Sequence, residues 1–276
     1  MDCYFWRYEL TPKRRLSGVA RDAPREGALI RIGDGFADVH PWPELGDLPL
    51  REQLSLLERG STTALTRRSL HFAALDAEAR AESRSLFDGL TIPPSHWPGS
   101  DPPPSFDIAK VKSIEHLPER VRLRIDFNMT LTADDFLALR LPSERIDFIE
   151  DPCPYDAATW SMLRQRTGLR LALDREVSED GVDVLVVKPA VQEMPSTSRE
   201  IVVTSYMDHA IGQMFAAHFA ASHGITNVGG LFTHVLYEPD PFFERIRADG
   251  PRLLAPSGTG IGFDDLLESL PWKKLT

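Results

Sequence analysis

The sequence predicts an α/β fold, a (β/α)₈-type barrel that follows a small α+β domain. Three observations predict it. After a proline-rich connector, short β-like runs alternate with helical stretches, the pattern of parallel βαβ units. Five successive runs end in a lysine or a carboxylate. The first 90 residues follow another order, strands first and helices after.

The elements follow in chain order. "DCYFWRYEL" (2–10) and "GALIRIGDGFADVHPW" (27–42) run apolar or alternate between turn signals, as antiparallel strands do. "LREQLSLLERG" (50–60) and "RRSLHFAALDAEARAESRSL" (67–86) repeat apolar residues every three or four positions in helix-forming composition. "TIPPSHWPGSDPPPS" (91–105) cannot form a regular element and connects the two parts. Beyond it, β-like runs occupy 107–113, 121–127, 145–151, 169–175, 182–190, 200–206 and 226–232. Helical stretches at 132–141, 156–167 and 207–224 separate several of them. One more strand near 90–95 brings the count to the eight of a barrel.

Bulk properties exclude several functions. The formal charge is −10 with no long basic run, which argues against a nucleic-acid groove. Two cysteines, Cys3 and Cys153, provide neither a disulfide framework nor a cysteine zinc site. No apolar stretch approaches the roughly 18 residues of a membrane span. The N-terminus has an acid at position 2 and no apolar core of a signal peptide. The expectation is a cytoplasmic protein with no membrane and no nucleic-acid partner.

The strand ends carry the chemistry. Lys112, Asp126, Glu150, Asp174 and Lys188 close five successive strands, and in a barrel those ends meet at the face that holds active sites. The two-residue period of a strand sorts the side chains. Arg122, Arg124, Asp126 and Asn128 share one face, while Leu123, Ile125 and Phe127 share the other and face the outer helices. By the same rule Lys110 goes with Lys112, Ala172 with Asp174, and Val184 and Val186 with Lys188. Three converging carboxylates repel, and a divalent cation removes the conflict. An all-oxygen set with open positions suits Mg²⁺, with Mn²⁺ as a substitute. A lysine beside such a cation loses basicity and becomes a usable general base. "FIEDP" (148–152) then reads as a strand that delivers Glu150 to the mouth before Pro152 turns the chain away.

The pieces "KVK" (110–112), "RIDFN" (124–128), "FIEDP" (148–152), "LALDREV" (171–177) and "VVKP" (186–189) resemble the enolase superfamily in its muconate-lactonizing subgroup. "EDPC", "VVKPA" and "VTSYMDHAIG" (203–212) are most similar to the o-succinylbenzoate synthases within it, and "ADVHPWPELGD" (37–47) sits where that family has a cap turn. The resemblance implies a modified TIM barrel, (β/α)₇β, with an N-terminal α+β capping domain. The cap spans 1–90 and is completed by a tail at about 255–276, and the barrel spans 91–254. It further implies that Asp126, Glu150 and Asp174 hold Mg²⁺, that Lys112 is the base, and that Lys188 stabilises an enediolate from the other face. Lys110, Asn128, Ser205 and Gly230 are the substrate-contact candidates. The implied reaction is the syn dehydration of 2-succinyl-6-hydroxy-2,4-cyclohexadiene-1-carboxylate, a small dicarboxylate, in menaquinone biosynthesis.

Two alternatives stay open. A lysine on each side of an enediolate also suits an N-acylamino acid racemase or dipeptide epimerase, but no acidic residue is clearly placed to hold an aminoacyl ammonium, Asp208 being the exception to watch. A non-catalytic binding barrel would be favoured by loss of a key residue, and none is lost. The segments 113–120, 175–183 and 191–199 are too short or too polar for full barrel helices, so several helices are shortened or missing. The reading favours irregular coverage of the strands and a monomer, with a dimer as the alternative. "SGTGIGF" (257–263) lacks the Lys-Ser/Thr of a phosphate loop and reads as a chain reversal toward the cap. His209, His218 and His223 lack metal-ligand spacing, and Cys153 reads as a packed thiol. "PKRR" (12–15) reads as a solvated loop, with approach of one of its arginines to the far carboxylate of a dicarboxylate as the alternative.

Overall fold

The computed structural model describes residues 2–16, 23–174 and 176–275. Strands β1 (Cys3–Leu10), β2 (Arg25–Ile32) and β3 (Gly35–Val39) form an antiparallel sheet. Helices α1 (Leu50–Glu58) and α2 (Ala64–Ala81) follow. Thr63 caps α2 reciprocally with Thr66, satisfying two donors that the first turn would leave open. Helix α2 lies so close to β3 that a Cβ on Gly35 would stand 1.9 Å from the Ala73 carbonyl oxygen, so only glycine fits there.

The second sheet is parallel, and its strands pair in chain order. They are β4 (Trp97–Pro98), β5 (Ile108–Val111), β6 (Arg122–Asp126), β7 (Ile146–Glu150), β8 (Leu171–Asp174), β9 (Val184–Val187) and β10 (Glu200–Val203). Helix α3 (Ala133–Ala138) follows β6, α4 (Ala157–Thr167) follows β7, and α5 (Ala210–Ser222) follows β10. Gly229 and Gly230 close the ring through parallel bridges to Ser95 and Thr204. Ser205 N donates to Gly230 O (3.0 Å) and His96 N to Gly229 O (2.9 Å).

Two expected strands are therefore corrected. The strand expected near 90–95 begins later, because Pro93 and Pro94 have no N–H to give a ladder. The strand expected over 226–232 shrinks to a glycine pair. A Cβ on Gly230 would stand 2.7 Å from Thr204 Cγ2 and 2.8 Å from His96 Cε1, so closure here leaves no room for a side chain.

The strand faces sort as the two-residue period requires. Phe148, Ala172, Val184, Val186 and Val202 form one buried cluster inside the ring. Leu123, Ile125, Ile149, Leu171, Leu173 and Leu185 pack outward against Phe136 of α3 and against Trp160 and Leu163 of α4. No helix covers the described parts of 113–120, 175–183 and 191–199. Irregular chain does it instead. Ile114, Leu117 and Val182 join the outer cluster, and Val191 and Met194 pack with Ile201 on the other side. Each large side chain so buried contributes roughly 1.5–3 kcal/mol.

The C-terminal stretch returns to the first sheet. A short hairpin, β11 (Ala248–Asp249) with β12 (Arg252–Leu253), precedes α6 (Asp264–Ser269) and β13 (Lys273–Lys274), which pairs antiparallel with β1. The 257–263 loop is a chain reversal: Gly260 bridges Ser85, and buried Asp76 accepts from Ile261 N (2.6 Å) and Phe36 N (2.9 Å). No described helix is long and apolar enough to cross a membrane.

Candidate active site

A cavity of about 980 Å³ opens at the C-terminal ends of the parallel strands. Its wall includes Lys110, Lys112, Asp126, Asn128, Asp174, Lys188, Ser205 and Gly230. Glu150 lies just behind that wall, with its side chain almost fully buried. The structure thus gathers at one mouth every site residue expected from the strand ends. The segments that follow β1 and β3 supply part of the rim through Arg14, Arg15, Leu16, Glu44, Leu45 and Asp47. Arg14 is anchored to the barrel by donating to Pro98 O (2.7 Å).

The lysines and carboxylates interlock. Lys110 Nζ stands 3.0 Å from Asp126 Oδ2 and 2.6 Å from Glu150 Oε1. Lys112 Nζ is 3.7 Å from Asp126 Oδ2, and Lys188 pairs with Asp174. Lys110 of β5 and Lys112 just beyond it consequently differ in electrostatics. Burial alone would lower Lys110, but Asp126, Glu150 and Asp174 outweigh it and raise its pKa. Lys112 is lowered by burial, which Asp126 offsets only in part, and the Lys110 cation pushes the same way as burial. Asp126 is lowered: burial would raise it, but Lys110 and Lys112 prevail. Glu150 is raised to about 7 by burial, despite Lys110, with Asp126 and Asp174 adding to the rise.

Local backbone serves these positions. Strand β7 ends at Glu150, and Asp151 takes φ 47°, an uncommon conformation for a residue with a side chain. Held so, Asp151 stays buried on the cavity wall and accepts from Asp174 N (3.2 Å). Asn128 (φ 49°) donates its backbone N–H to Asp126 Oδ1 (2.9 Å), and its side-chain amide pairs with the same oxygen. Asn128 thus orients a carboxylate, in addition to facing the cavity.

The chemistry of the set fits a hard divalent cation. Three carboxylates from adjacent strands offer only oxygen, and Asp174 Oδ1 is buried with no hydrogen-bond partner. A buried acceptor without a donor costs about 1–3 kcal/mol, and a bound cation removes that cost. Among the described residues no group of three acidic, histidine or cysteine side chains is already arranged as a finished metal site, because Lys110 and Lys188 stand between the carboxylates.

Residues 3–79 match the model for the N-terminal domain of o-succinylbenzoate synthase. The chain is 33% identical to an o-succinylbenzoate synthase from Bdellovibrio bacteriovorus, over 97% of each protein. The chain belongs to the o-succinylbenzoate synthase family. Solved structures of low sequence identity share its fold. A mandelate racemase/muconate lactonizing protein from Herpetosiphon aurantiacus superposes with a TM-score of 0.76 at 15% identity, covering 94% of this chain and 96% of that one. A dipeptide epimerase from Cytophaga hutchinsonii, solved with Mg and D-Ala-L-Val, gives 0.75 at 14% identity, covering 100% and 99%. The match to the Bdellovibrio o-succinylbenzoate synthase runs over 321 residues, more than the 276 of this chain. The relative therefore carries segments that this chain lacks, in keeping with barrel connections reduced to irregular chain.

Other expected residues fall elsewhere. Asp208 is not on the active-site wall; it is 2% exposed and faces a small second cavity with Asp38, His40 and Gly212. His209 caps α5, accepting from Ile211 N (3.3 Å), and His218 packs edge-on against Phe87. Cys153 is buried in the outer cluster, where burial raises its thiol pKa and leaves it unreactive. Sequence reasoning missed His96, which lies in the proline-rich connector and lines the active-site cavity. It also missed Arg124 as a structural cation. Arg124 Nε donates to Asp147 (2.8 Å) across a register shift in the β6–β7 pairing.

Proposed function

We propose that this protein is an o-succinylbenzoate synthase, dehydrating 2-succinyl-6-hydroxy-2,4-cyclohexadiene-1-carboxylate to the aromatic product in menaquinone biosynthesis. The observation that carries the reading is the contrast between Lys110 and Lys112. Lys110 is locked between two carboxylates with a raised pKa, while Lys112 reaches the cavity with a lowered one. A base must be free of its proton near neutral pH and must touch open space. Lys112 is the better placed of the two on both counts: burial lowers its pKa and 30% of its side chain is exposed, whereas Lys110 has a raised pKa and 14% exposure.

In this reading Asp126, Glu150 and Asp174 hold Mg²⁺, as Mg is bound in the Cytophaga epimerase. When bound, the ion supplies the positive charge that a substrate carboxylate needs on becoming an enediolate. The chain's own groups do the rest. Lys112 Nζ removes the proton α to the ring carboxylate. The same ammonium then returns the proton to the departing hydroxyl, which a syn elimination requires of one group. Lys188, directly after β9 and across the carboxylates from β5, places a cation on the opposite face of the conjugated ring. Lys110 keeps Asp126 ionised and fixes Glu150 by an ion pair. Asn128 holds Asp126 in register.

The epimerase reading loses its anchor with Asp208 turned into the second cavity. Irregular coverage of the outer strand faces supports a monomer, which light scattering at micromolar concentration tests. The function itself is tested by ultraviolet absorbance: the diene substrate should convert to an aromatic product, stop in excess chelator, and resume with Mg²⁺ or Mn²⁺. Full activity in chelator would remove the metal assignment, and no conversion under any condition would remove the reaction.

A further inference from the structure

The barrel mouth has two unlike sides. Asp126, Glu150 and Asp174 end β6, β7 and β8, three neighbours on the ring. Around the rest of the ring lie β10, the Gly229–Gly230 closure and β4, which bring Ser205, Gly230 and His96 to the same cavity. Thr233 adds a hydroxyl there, 2.5 Å from that of Ser205. The first side is charged and holds a carboxylate end. The second is built from uncharged polar groups.

His96 is the most constrained of these. It is only 4% exposed. Arg124 Nη1 lies 3.0 Å from His96 Nδ1, and a guanidinium only donates, so Nδ1 must accept. The ring hydrogen therefore sits on Nε2, a tautomer set by Arg124 rather than by solvent. Arg124 is itself fixed by Asp147 (2.8 Å) and by Val228 O (2.7 Å). The Cε1–Nε2 edge faces Gly230: a Cβ there would stand 2.8 Å from Cε1 and 3.1 Å from Nε2. Gly230 thus leaves that edge open to the cavity, where a side chain would cover it. Burial, with the Arg124 cation, keeps the ring neutral. Among the described residues its only side-chain hydrogen bond is the one from Arg124.

We infer that His96 is a substrate-binding residue whose Nε2–H donates to the uncharged keto oxygen of the substrate's succinyl arm, beside the carboxylate cluster. The inference rests on the dehydratase reading above. The succinyl ketone stands on the ring carbon next to the one that bears the carboxylate, so with the carboxylate at β6–β8 its oxygen is met from the adjoining wall, where His96 precedes β4 and is tied to Arg124 of β6. A neutral N–H fixed in one tautomer matches a ketone, which only accepts. Deep in the cavity such a donor discriminates for the arm, because without an acceptor it would stay unpaired.

Competitive inhibition of the wild-type holoenzyme and its variants tests this with two probes, o-succinylbenzoate and benzoate. Both carry the aromatic carboxylate, and only the first carries the keto arm. His96→Leu removes the donor while Arg124 keeps Asp147 and Val228. It should weaken o-succinylbenzoate about three- to tenfold and leave benzoate within about twofold, the scale of one neutral hydrogen bond. His96→Gln, whose amide nitrogen occupies nearly the place of Nε2, should recover most of the loss. Equal weakening of both probes would assign His96 to packing, and no weakening of o-succinylbenzoate would also overturn the inference. If the wild-type protein neither dehydrates the diene nor binds o-succinylbenzoate, the family reaction itself fails, a result separate from failure of the His96 assignment in an active enzyme.

Discussion

Two clusters of buried carboxylates stand in this molecule, and their neighbours differ. At the barrel mouth Asp126, Glu150 and Asp174 are interleaved with Lys110, Lys112 and Lys188. In the seam between the antiparallel sheet and the barrel, Asp38 and Asp208 have no lysine. Asp38 accepts from the Tyr8 hydroxyl (2.5 Å) and from His209 N (3.2 Å), and His40 Nδ1 lies 3.0 Å from the same hydroxyl. Burial raises Asp38 to about 7, and it raises Asp208 well above the usual range, with Asp38 adding to it. Asp126, as deeply buried, is held low by Lys110 and Lys112. Burial by itself makes a carboxyl neutral, and only an adjacent cation keeps it ionised. In the seam Asp38 serves as a hydrogen-bonding group that ties β1 to the start of α5. At the mouth Lys110 and Lys112 keep Asp126 as a charge, while burial still raises Glu150 to about 7.

Substitutions should separate the two clusters. The largest effect is expected for Lys112→Ala, a loss of roughly 10²–10⁴-fold in turnover, the usual contribution of a positioned base. Exchange of the substrate α-proton with deuterated solvent should vanish in that variant and persist in Lys188→Ala. The reverse pattern, seen by NMR, would exchange the two roles and favour a racemase-like geometry.

Next come Asp126→Asn and Glu150→Gln, which remove charge at the mouth. Turnover should fall by roughly 10²–10³-fold or more, with weaker Mg²⁺ binding by calorimetry. The matching change in the seam, Asp38→Asn, should leave turnover nearly unaltered, since that carboxyl already hydrogen-bonds as a neutral group near pH 7. A comparable loss of activity from both would erase the distinction between the clusters.

The seam acid should instead show itself in stability against pH. The native Asp38 titrates at about 7, above its unfolded value of roughly 4. Below that lower value both states hold the proton, and as pH rises the unfolded chain releases it while the native one retains it. Its contribution is therefore full in acid and lost as pH rises through about 7. Asp38→Asn removes this dependence. Relative to wild type it should gain about 1.4 kcal/mol per pH unit between roughly pH 4 and 7, in urea titrations at several pH values. A pH-independent difference would mean that Asp38 is ionised in the fold.

The smallest effect sharpens the comparison from the basic side. His218 is lowered to about 4, by burial first and then by His223, Arg84 and His71. The unfolded imidazole takes up a proton near pH 6.5 that the native ring refuses, so stability falls as pH drops from about 6.5 to 4. His218→Gln should flatten this acid limb by about 1 kcal/mol at pH 5.5 and reduce proton uptake on unfolding. Unchanged uptake would show the native ring to be protonated.

Much of the mouth was legible in the sequence. Asp126, Glu150 and Asp174 end their strands, Lys112 and Lys188 directly follow theirs, and parallel strands in a ring present their C-terminal ends together. Alternation along a strand told inward from outward residues, so Leu123 and Ile125 could be separated from Arg124 and Asp126 without coordinates. Missing helices were legible too, since eight polar or proline-containing residues cannot bury an apolar stripe.

What the tertiary structure alone decided are the pairings that carry no periodic signal. His96 sits among prolines, where no pattern gives a face, and it is placed by closure of the ring through Gly229 and Gly230. Asp151 reaches the cavity because its backbone turns left-handed, which its neighbours in sequence do not dictate. Arg124 meets Asp147 through a register shift. Asp38 and Asp208 lie far apart in the chain and meet only because the antiparallel sheet docks beside α5. Periodicity determines which way a side chain points from its own strand. Which distant group it meets, and so whether it is charged, depends on how the elements pack.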